Sequence, residues 1–363
     1  MKSRDEKSSI RVLVVDDSAF MRTALTRMIA CDSELSVAGT AVSGTEALQR
    51  IPELDPDVIT LDMQMPGIDG LETLRCIMSQ FPRPVIMVSS VTVKDAETTL
   101  EALEAGAFDY VPKQLSSSSL NILHIREDLI RKIKAAAGSR HSLRCLDLPR
   151  KAPRAVELTP RQGSHPPPEI VAIGISTGGP KALQEVLPAL PGDLPIPIVV
   201  VQHMPPGFTE PFARRMNTLC PATVREAAHG ENAKPGVIYI APAGWHTTIE
   251  RPTGSRITIC LSERPRNQLH VPSADVMMQS VASAFGSLAM GIIMTGMGSD
   301  GAQGMSAIHR EGGLTVGQDE LTCAVYGMPR VCAEMGILDR VVPLAQIPYE
   351  IMQATQYRKA SVG

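Results

Sequence analysis

Apolar and polar residues alternate in blocks along the first third of the chain. Five short apolar runs have the length of strands: "IRVLVV", "LSVAG", "DVITL", "PVIMV" and "FDYV". Between and after these runs, apolar residues recur with the period of a helix near residues 19–30, 43–51, 70–79, 94–105 and 120–137. Apolar strands that alternate with amphipathic helices are typical of a parallel sheet with helices on both faces. The pattern therefore predicts a doubly wound α/β domain.

The same alternation of strand and helix patterns resumes at residue 169. The strand-like runs are "IVAIGI", "PIVVVQ", "GVIYIAP", "RITIC", "AMGIIMTG" and "LTVGQ". Helical patterns cover residues 180–190, 274–287 and 301–311. A β-ribbon is predicted around Trp245–Leu261. The second half of the chain therefore predicts another doubly wound parallel sheet.

The stretch between these two regions has a different composition. From Arg126 to His165 there are ten Lys and Arg residues, four Asp and Glu residues, many serines and prolines, and little apolar periodicity. We predict that the helix starting near residue 120 ends near Ala137, and that a flexible basic linker follows. A solvated tether explains the positive charge, and attraction to an acidic partner is the alternative. The predicted organisation is a domain over 9–125, a helix end and basic linker over 126–168, and a second domain over 169–357.

The overall composition is that of an ordinary globular protein. With 363 residues, of which 44% are hydrophobic, the chain is long enough to form two buried cores. No apolar stretch reaches the roughly 18 residues of a membrane span, and the start "MKSRDEKSSI" is unlike a signal peptide. The seven cysteines include no CxxC pair, which favours a reducing compartment. We therefore predict a cytoplasmic protein that does not insert into a membrane, and the net charge of −3 predicts no general attraction to nucleic acid.

Polar side chains follow four strands of the first predicted sheet. Asp16 and Asp17 follow "VLVV", Asp62 follows "VITL", and Ser89 and Lys113 follow the fourth and fifth runs. Each residue alone is typical of a turn or helix cap, but the ends of parallel strands meet at one edge, where ligands bind. Three carboxylates there repel one another unless a cation such as Mg²⁺ lies among them. A carboxylate can also accept a phosphoryl group.

The motifs "VLVVDDS", "LDMQMPGIDG", "VSS" and "FDYVPK" resemble the receiver domain of two-component response regulators. This resemblance covers about residues 9–125 and implies a flavodoxin-like fold with Asp62 as the phosphoacceptor. It also implies that Asp17, Asp62 and the backbone carbonyl of Gln64 hold Mg²⁺, with the assistance of Asp16.

The receiver resemblance further implies a switch that responds to phosphorylation. Ser89 would be the switch hydroxyl, Tyr110 the aromatic residue that rotates, and Lys113 the lysine that contacts the phosphate. Receivers usually have a proline just after this lysine, whereas here Pro112 precedes it and Gln114 follows it. This difference from the usual receiver sequence affects the expected geometry of the loop after Lys113.

Three reactive side chains follow strands of the second predicted sheet. Ser176 lies in "GISTGGP" after "IVAIGI", His203 follows "PIVVVQ", and Asp300 follows "GIIMTGMGS". If these strands are neighbours, the histidine can accept the serine proton while the carboxylate orients the imidazole. Gly174 and Gly178 permit a sharp turn that exposes the hydroxyl. The free N–H groups at the start of the following helix suit an oxyanion.

Other interpretations of these residues remain open at this point. The glycine-rich turn would also suit a phosphate, although it lacks the lysine of a P-loop and the third glycine of a dinucleotide fingerprint. The order Ser…His…Asp differs from that of α/β-hydrolases. Asp300 alone could equally be a helix cap, and His229, His246 and His270 could line a cleft, although we rank them below His203.

The second half contains the motifs "GISTGGP", "QHMPPGFT", "IYIAPAGWH", "PSADVMMQSVA", "MTGMGSDGAQGM" and "GQDELTCAVYGMP". Together these motifs resemble the catalytic domain of chemotaxis protein-glutamate methylesterases over about residues 169–355. The family also has the order receiver, linker and catalytic domain, and it implies a Rossmann-like α/β fold. The implied site residues are the nucleophile Ser176, the general base His203, the orienting acid Asp300, the Met297 N–H near the oxyanion, and Thr177 beside the nucleophile.

The methylesterase resemblance implies hydrolysis of glutamate methyl esters on methyl-accepting chemoreceptors, with release of methanol, and deamidation of receptor glutamines. It further implies a histidine kinase as phosphodonor, a receiver that blocks the esterase cleft until it is phosphorylated, Mg²⁺ at the receiver, and no cofactor for the esterase. The alternative is a phosphorylation-dependent regulator that acts by protein contact outside chemotaxis. A DNA-binding regulator is disfavoured because the second half has no helix-turn-helix pattern.

Overall fold

The computed structural model describes residues 9–89, 93–113, 119–144, 165–252 and 256–357. The chain divides into two compact units, Met1–Pro153 and Arg154–Gly363, which are described separately. Residues 145–164, which belong to the predicted linker, lie outside the described residues.

A five-stranded parallel sheet forms the centre of the first unit. Its strands are β1 (Ile10–Val15), β2 (Leu35–Ala41), β3 (Val58–Asp62), β4 (Val85–Ser89) and β5 (Asp109–Pro112). Their order is β2-β1-β3-β4-β5, and each corresponds to a predicted apolar run. Because β1, β3, β4 and β5 are consecutive neighbours, the polar residues after them lie at one edge of the sheet.

Four helices connect these strands, a fifth follows β5, and all five correspond to predicted helical patterns. They are α1 (Ala19–Ala30), α2 (Gly44–Leu54), α3 (Gly70–Gln80), α4 (Val93–Glu104) and α5 (Ser119–Arg144). The first three begin after Ser18, Ser43 and Asp69, whose side chains accept a backbone N–H of the first turn.

Helix α5 extends beyond its predicted end near Ala137 to Arg144, so His141 lies in a helix and not in a linker. Leu129 and Ile133 on this helix are completely buried against the sheet. Packing of this kind stabilises the helix, and the single Gly138 costs only about 1 kcal/mol relative to alanine, which does not end it.

The second unit contains a seven-stranded parallel sheet and a separate ribbon. The strands are β6 (Ile170–Ile175), β7 (Ile198–Gln202), β8 (Thr223–Glu226), β9 (Val237–Ile240), the antiparallel ribbon strands β10 (His246–Glu250) and β11 (Thr258–Ser262), then β12 (Ala289–Ile293), β13 (Leu314–Gln318) and β14 (Arg340–Val342). The order in the sheet is β14-β13-β12-β6-β7-β9-β8. Two doubly wound sheets and the predicted ribbon confirm the fold class.

Six helices cover this second sheet: α6 (Gly179–Val186), α7 (Thr209–Leu219), α8 (Ala274–Phe285), α9 (Ala302–Arg310), α10 (Met328–Glu334) and α11 (Ile347–Ala354). Helix α6 is shorter than its prediction, because the chain changes to a 3₁₀ turn at Leu187–Ala189, which contains Pro188. Within the described ranges, no helix is both long and apolar enough to cross a membrane.

The centre of the second sheet brings three loops together. Strand β6 lies between β12 and β7, and the three strands are parallel and apolar. The loops that leave their carboxyl ends carry Ser176, His203 and Asp300. The topology therefore places the three predicted side chains at the same edge of the sheet.

Candidate functional site

The first unit has a cluster of three carboxylates at the ends of β1 and β3. Oxygen atoms of Asp16, Asp17 and Asp62 lie within 4.8 Å of one another, and Asp16 and Asp62 are buried. The second carboxylate oxygen of Asp62, Oδ2, is buried without a hydrogen-bond donor among the described residues. The Gln64 N–H donates to Asp62 Oδ1 over 3.1 Å, so Gln64 also adjoins the cluster. This all-oxygen donor set fits the coordination preference of Mg²⁺.

Lys113 connects this cluster to β5. Its Nζ lies 2.6 Å from Asp62 Oδ1 and 3.1 Å from Asp16 Oδ2, and its backbone N–H donates to the Ser89 carbonyl over 2.7 Å. Pro112 pairs with Ser89 in the sheet, so a proline before the lysine does not keep the ammonium from the carboxylates. Gln114 lies outside the described residues.

The electrostatics of Asp62 reflect opposing effects. Burial raises the pKa of this carboxyl, the hydrogen bond and positive charge of Lys113 lower it, and the negative charge of Asp16 raises it. The pKa of Asp62 lies above its ordinary value as a result. Asp62 also lines a cleft of about 570 Å³ together with Asp17, Gln64 and Lys113, so the carboxylate faces open space.

Ser89 and Tyr110 are both buried beside this edge. Ser89 is fully buried at the end of β4, and its Oγ accepts a hydrogen bond from Thr99 Oγ1 over 2.8 Å. The Tyr110 side chain is only 3% exposed, and Lys132 Nζ lies 5.2 Å from the centre of its ring. Burial raises the pKa of Tyr110 well above its usual range. Tyr110 is therefore in an inward orientation.

In the second unit, Ser176 lies in a tight turn directly after β6. Its N–H donates to the Thr295 carbonyl over 3.0 Å, and its own carbonyl accepts the Gly179 N–H over 2.8 Å. Gly178 has a φ of 75°, a conformation that favours glycine. Ser176 is partly exposed, and its Oγ has no hydrogen-bond partner among the described residues. The turn thus presents the hydroxyl away from the sheet.

The loop after β12 packs closely against this serine. A Cβ atom at Gly296 would lie 2.8 Å from the Cβ of Ser176, so only glycine allows this approach. The next residue, Met297, has a backbone N–H with no acceptor among the described residues. Thr177 is buried beside the serine, and its carbonyl accepts a hydrogen bond from Thr295 Oγ1. A free N–H next to the serine suits an oxyanion.

His203 and Asp300 are paired at the same edge of the sheet. His203 Nε2 lies 2.7 Å from Asp300 Oδ2, and the two side chains are 8% and 10% exposed. The His203 N–H donates to the Ile175 carbonyl over 3.1 Å, which attaches the histidine to the residue before Ser176. Because Nε2 donates to the carboxylate, Nδ1 is the nitrogen that can accept a proton. Within the described residues, Nδ1 is buried without a hydrogen-bond partner.

Asp300 is held by the start of helix α8. Its carboxylate accepts Ser273 Oγ–H and the Ala274 N–H, both over 2.7 Å, and the Asp275 N–H over 3.1 Å. Burial alone raises the pKa of Asp300, but the hydrogen bond and charge of His203 lower it, followed by the bonds from Ser273 and Ala274. The pKa of Asp300 therefore lies well below its usual value, and the group remains ionised at neutral pH.

The lower-ranked histidines have different environments. The His270 ring stacks on His203 with centroids 4.0 Å apart and planes at 14°, so this residue adjoins the site. His246 is completely buried, and His229 Nδ1 accepts the Leu261 N–H. A serine just before the helical pattern at 274–287 signals a helix cap, which could have identified Ser273. The stacking of His270 had no local sequence signal.

The folds of the two units are those of a response-regulator receiver and of a doubly wound α/β domain that carries a serine, a histidine and an aspartate at one sheet edge. Sequence models of two families match the same regions: the response regulator receiver domain over residues 12–123 and the CheB methylesterase over residues 171–351. The chain belongs to the CheB methylesterase family.

Relatives and solved structures agree with this family. The chain is 46% identical to a protein-glutamate methylesterase/protein-glutamine glutaminase 1 of Oleidesulfovibrio alaskensis, over 95% of this chain and 99% of that protein. A protein-glutamate methylesterase/protein-glutamine glutaminase of Pyrococcus abyssi is 43% identical, over 96% and 94% of the two chains. The crystal structure of the Thermotoga maritima CheB methylesterase catalytic domain is 39% identical, with a TM-score of 0.50, over 51% of this chain and 98% of that one.

Proposed function

We propose that this chain hydrolyses glutamate methyl esters on methyl-accepting chemoreceptors, deamidates receptor glutamines, and is regulated by phosphorylation of Asp62. Membership of the family and the names of the relatives support the activity. The observation that carries the assignment of the site is the 2.7 Å contact between His203 Nε2 and Asp300, which leaves Nδ1 without a hydrogen-bond partner among the described residues, at the sheet edge that also carries Ser176.

The first half of the reaction forms an acyl-enzyme. Ser176 Oγ attacks the ester carbonyl carbon and gives its proton to His203 Nδ1, while the carbonyl electron pair moves to the oxygen. Asp300 stabilises the imidazolium through Nε2–H, and the Met297 N–H donates to the oxyanion. When the intermediate collapses, the bond to the methoxy oxygen breaks, and His203 returns the proton so that methanol leaves.

The second half releases the glutamate side chain. A water molecule gives one proton to His203 and attacks the acyl carbon, and collapse of this second intermediate returns that proton to Ser176 Oγ. The product is a glutamate carboxyl group and free enzyme. A glutamine side chain reacts in the same way, with ammonia as the leaving group, so one site serves both reactions.

The receiver contributes the control of this site. Asp62 accepts the phosphoryl group of a histidine kinase, and Lys113 contacts the phosphate. Asp17, Asp62 and the Gln64 carbonyl would hold Mg²⁺ with Asp16 beside them, and the ion supplies positive charge for the phosphoryl oxygens. Ser89 and Tyr110 would shift on phosphorylation and end the block of the esterase cleft. Cytoplasmic localisation fits both the kinase and the cytoplasmic helices of receptors.

Release of methanol from radiomethylated receptor membranes tests this proposal. We expect volatile methanol from the phosphorylated chain and none from Ser176→Ala, because the substitution removes the attacking oxygen. Release that persists in Ser176→Ala would contradict the assigned nucleophile. Absence of release with receptors of several types would contradict the substrate and favour a regulator that acts by contact.

A further inference from the structure

His246, the first residue of ribbon strand β10, is completely buried and uses both ring nitrogens. Its Nδ1 faces the Ser273 N–H at 3.2 Å, and its Nε2 faces the Pro265 carbonyl at 3.0 Å. The first partner can only donate and the second can only accept. The histidine is therefore neutral, with its proton on Nε2, and acts as a bridge between two loops.

Ser273, the residue held by His246, supports the Asp300 carboxylate. Its Oγ–H donates to Asp300 Oδ1 over 2.7 Å, and its Oγ accepts the Val276 N–H, which caps helix α8. The following N–H groups of Ala274 and Asp275 donate to the same carboxylate. The position of the Ser273 backbone therefore determines where three of the hydrogen-bond donors of Asp300 lie.

The second bond of His246 reaches a different side of the site. Pro265 belongs to the loop that leads to His270, and His270 stacks on the ring of His203. His246 is thus hydrogen-bonded to Ser273, which supports Asp300 at the edge of the His203 ring. It is also hydrogen-bonded to the loop that leads to His270, which stacks on the face of that ring. An apolar residue would fill the same space in the core without either hydrogen bond, so packing alone does not require a histidine here.

We propose that His246 is a positioning residue for the hydrolytic reaction. Through Ser273 it fixes the Asp300 carboxylate, and Asp300 in turn fixes the ring of His203 by holding Nε2, so that Nδ1 stays available to accept a proton. This inference rests on the proposed function, because it assigns His246 a role in that reaction. The hydrogen bond between His246 and Ser273 matters more for this role than the bond to Pro265, because the Ser273 hydroxyl donates directly to the Asp300 carboxylate.

Three substitutions separate this role from packing. In His246→Asn the amide oxygen takes nearly the position of Nδ1 and can accept the Ser273 N–H, whereas in His246→Gln the amide nitrogen takes nearly that of Nε2 and can donate to Pro265. His246→Leu removes both bonds. We expect His246→Leu and His246→Gln to lower kcat for methanol release by about 10- to 100-fold with little change in KM, and His246→Asn to recover most of it.

A spectroscopic measurement tests the same inference without activity. The proton between His203 Nε2 and Asp300 should give a strongly downfield ¹H NMR signal, assigned by its loss in His203→Gln. We expect the signal in the wild-type chain and in His246→Asn, and a shifted or exchange-broadened signal in His246→Leu and His246→Gln. If the wild-type chain released no methanol, the proposed function would be wrong. The NMR signal would still show whether His246 positions the pair of His203 and Asp300.

Two results would overturn the role of His246. In the first, His246→Gln keeps the wild-type kcat and the NMR signal while His246→Asn loses both. This result would mean that His246 acts through its hydrogen bond to the Pro265 loop. In the second, His246→Asn and His246→Gln have equal kcat values and equal NMR signals. Whether these values are unchanged or reduced, their equality would show that the bond to Ser273 has no particular importance. Thermal unfolding of each variant distinguishes a folded chain from an unfolded one.

Discussion

The imidazole of His203 has contacts at its edge and on its face. Asp300 accepts Nε2–H, His270 covers one face, and the His203 backbone is bonded to Ile175, the last residue of β6. These contacts restrict the ring to an orientation in which Nδ1 remains available. The arrangement assigns the proton-accepting role to Nδ1, because the carboxylate occupies Nε2.

Asp300→Asn tests the tautomer of His203. An amide can turn its NH₂ group toward Nε2, which moves the imidazole proton to Nδ1 and prevents this nitrogen from accepting the serine proton. We expect kcat for methanol release to fall by about 10³- to 10⁴-fold, as in other serine triads, with little change in KM. Steady-state kinetics measures this. As a control, Asp275→Asn alters a nearby carboxylate whose side chain caps α9 through the Gly304 N–H, and should retain most of kcat.

If Asp300→Asn lowered kcat no more than Asp275→Asn, the carboxylate would not orient the general base, and the proposed mechanism would be wrong.

The pKa of Asp300 also predicts a dependence of stability on pH. Its folded pKa lies below the unfolded value of about 3.9, so the ionised carboxylate stabilises the fold. This contribution is complete above the unfolded pKa and is lost as the pH falls through the folded pKa. We expect the difference in free energy of unfolding between wild type and Asp300→Asn to shrink as the pH falls below about 4.

Urea unfolding followed by the fluorescence of Trp245 measures this difference, because the single tryptophan lies in the second unit. A difference that already shrinks between neutral pH and pH 5 would mean that the carboxylate titrates near its ordinary pKa or above it.

At the scale of elements, the site depends on the close approach of the β12 loop to the β6 turn. Gly296 forms a bridge with Tyr326, and its carbonyl accepts the N–H groups of Gly327 and Met328. A side chain at position 296 would meet both Met328 and Ser176. The absence of a side chain therefore positions the Met297 N–H near the serine.

Gly296→Ala tests this approach. The new methyl group would lie 2.8 Å from Ser176 Cβ and 2.3 Å from Met328 Sδ, so the turn and the loop must separate. We expect the second unit to lose about 1–3 kcal/mol of stability in urea unfolding, and kcat to fall in the molecules that remain folded.

Gly291→Ala is the matched control for Gly296→Ala. It lies in β12, where a Cβ atom would be 2.7 Å from Met305 Sδ, and it does not touch the serine. It should lower stability to a similar extent but leave kcat unchanged. Equal kcat values for the two variants would show that close packing at Gly296 serves only the fold.

The central elements were predictable because buried parallel strands need continuous aliphatic runs. β6, β7 and β12 are buried along their whole length and are apolar except for Gln202 at the end of β7, so they could be identified from the sequence. The edge strands β8 and β14 were missed because "TVRE" and "RVV" are short and carry charged residues. Helix α7 was also missed, because Pro211 and the pair Arg214–Arg215 interrupt its apolar pattern.

The site was only partly predictable for a different physical reason. Residues directly after strand ends could be located, because a parallel sheet brings these ends together. Whether His203 presents Nδ1 or Nε2 to the serine depends on the start of α8, which lies far along the chain. The same holds for His246 and His270, whose contacts are made across loops and leave no periodic pattern in the sequence.

At the scale of the whole molecule, two sites of different chemistry belong to one chain. The first unit has a buried carboxylate, Asp62, in contact with an ammonium group and beside two other carboxylates. The second has a paired histidine and aspartate, and Ser176 follows a strand at the same edge of the sheet. The account requires that a phosphoryl group on Asp62 alters the rate of the reaction at Ser176, because the receiver has no other proposed role.

Phosphate incorporation tests the first part of this coupling. Asp62→Asn removes the attacking carboxylate oxygen while the amide keeps the size of the side chain, so we expect no phosphoryl transfer from a labelled histidine kinase in the presence of Mg²⁺. Asp17→Asn keeps the phosphoacceptor but removes one charge from the proposed Mg²⁺ site, and should raise the Mg²⁺ concentration needed for labelling. Labelling of Asp62→Asn to the wild-type level would assign the phosphate to another residue.

The most direct test of the account measures the initial rate of methanol release from radiomethylated receptor membranes before and after addition of acetyl phosphate and Mg²⁺. Wild-type chain, Asp62→Asn and Ser176→Ala would be compared at equal concentration. The account predicts that acetyl phosphate raises the wild-type rate, leaves the Asp62→Asn rate at its basal level, and has no effect on Ser176→Ala, which releases nothing. A wild-type rate that does not respond to acetyl phosphate, or an Asp62→Asn rate that rises equally, would contradict it.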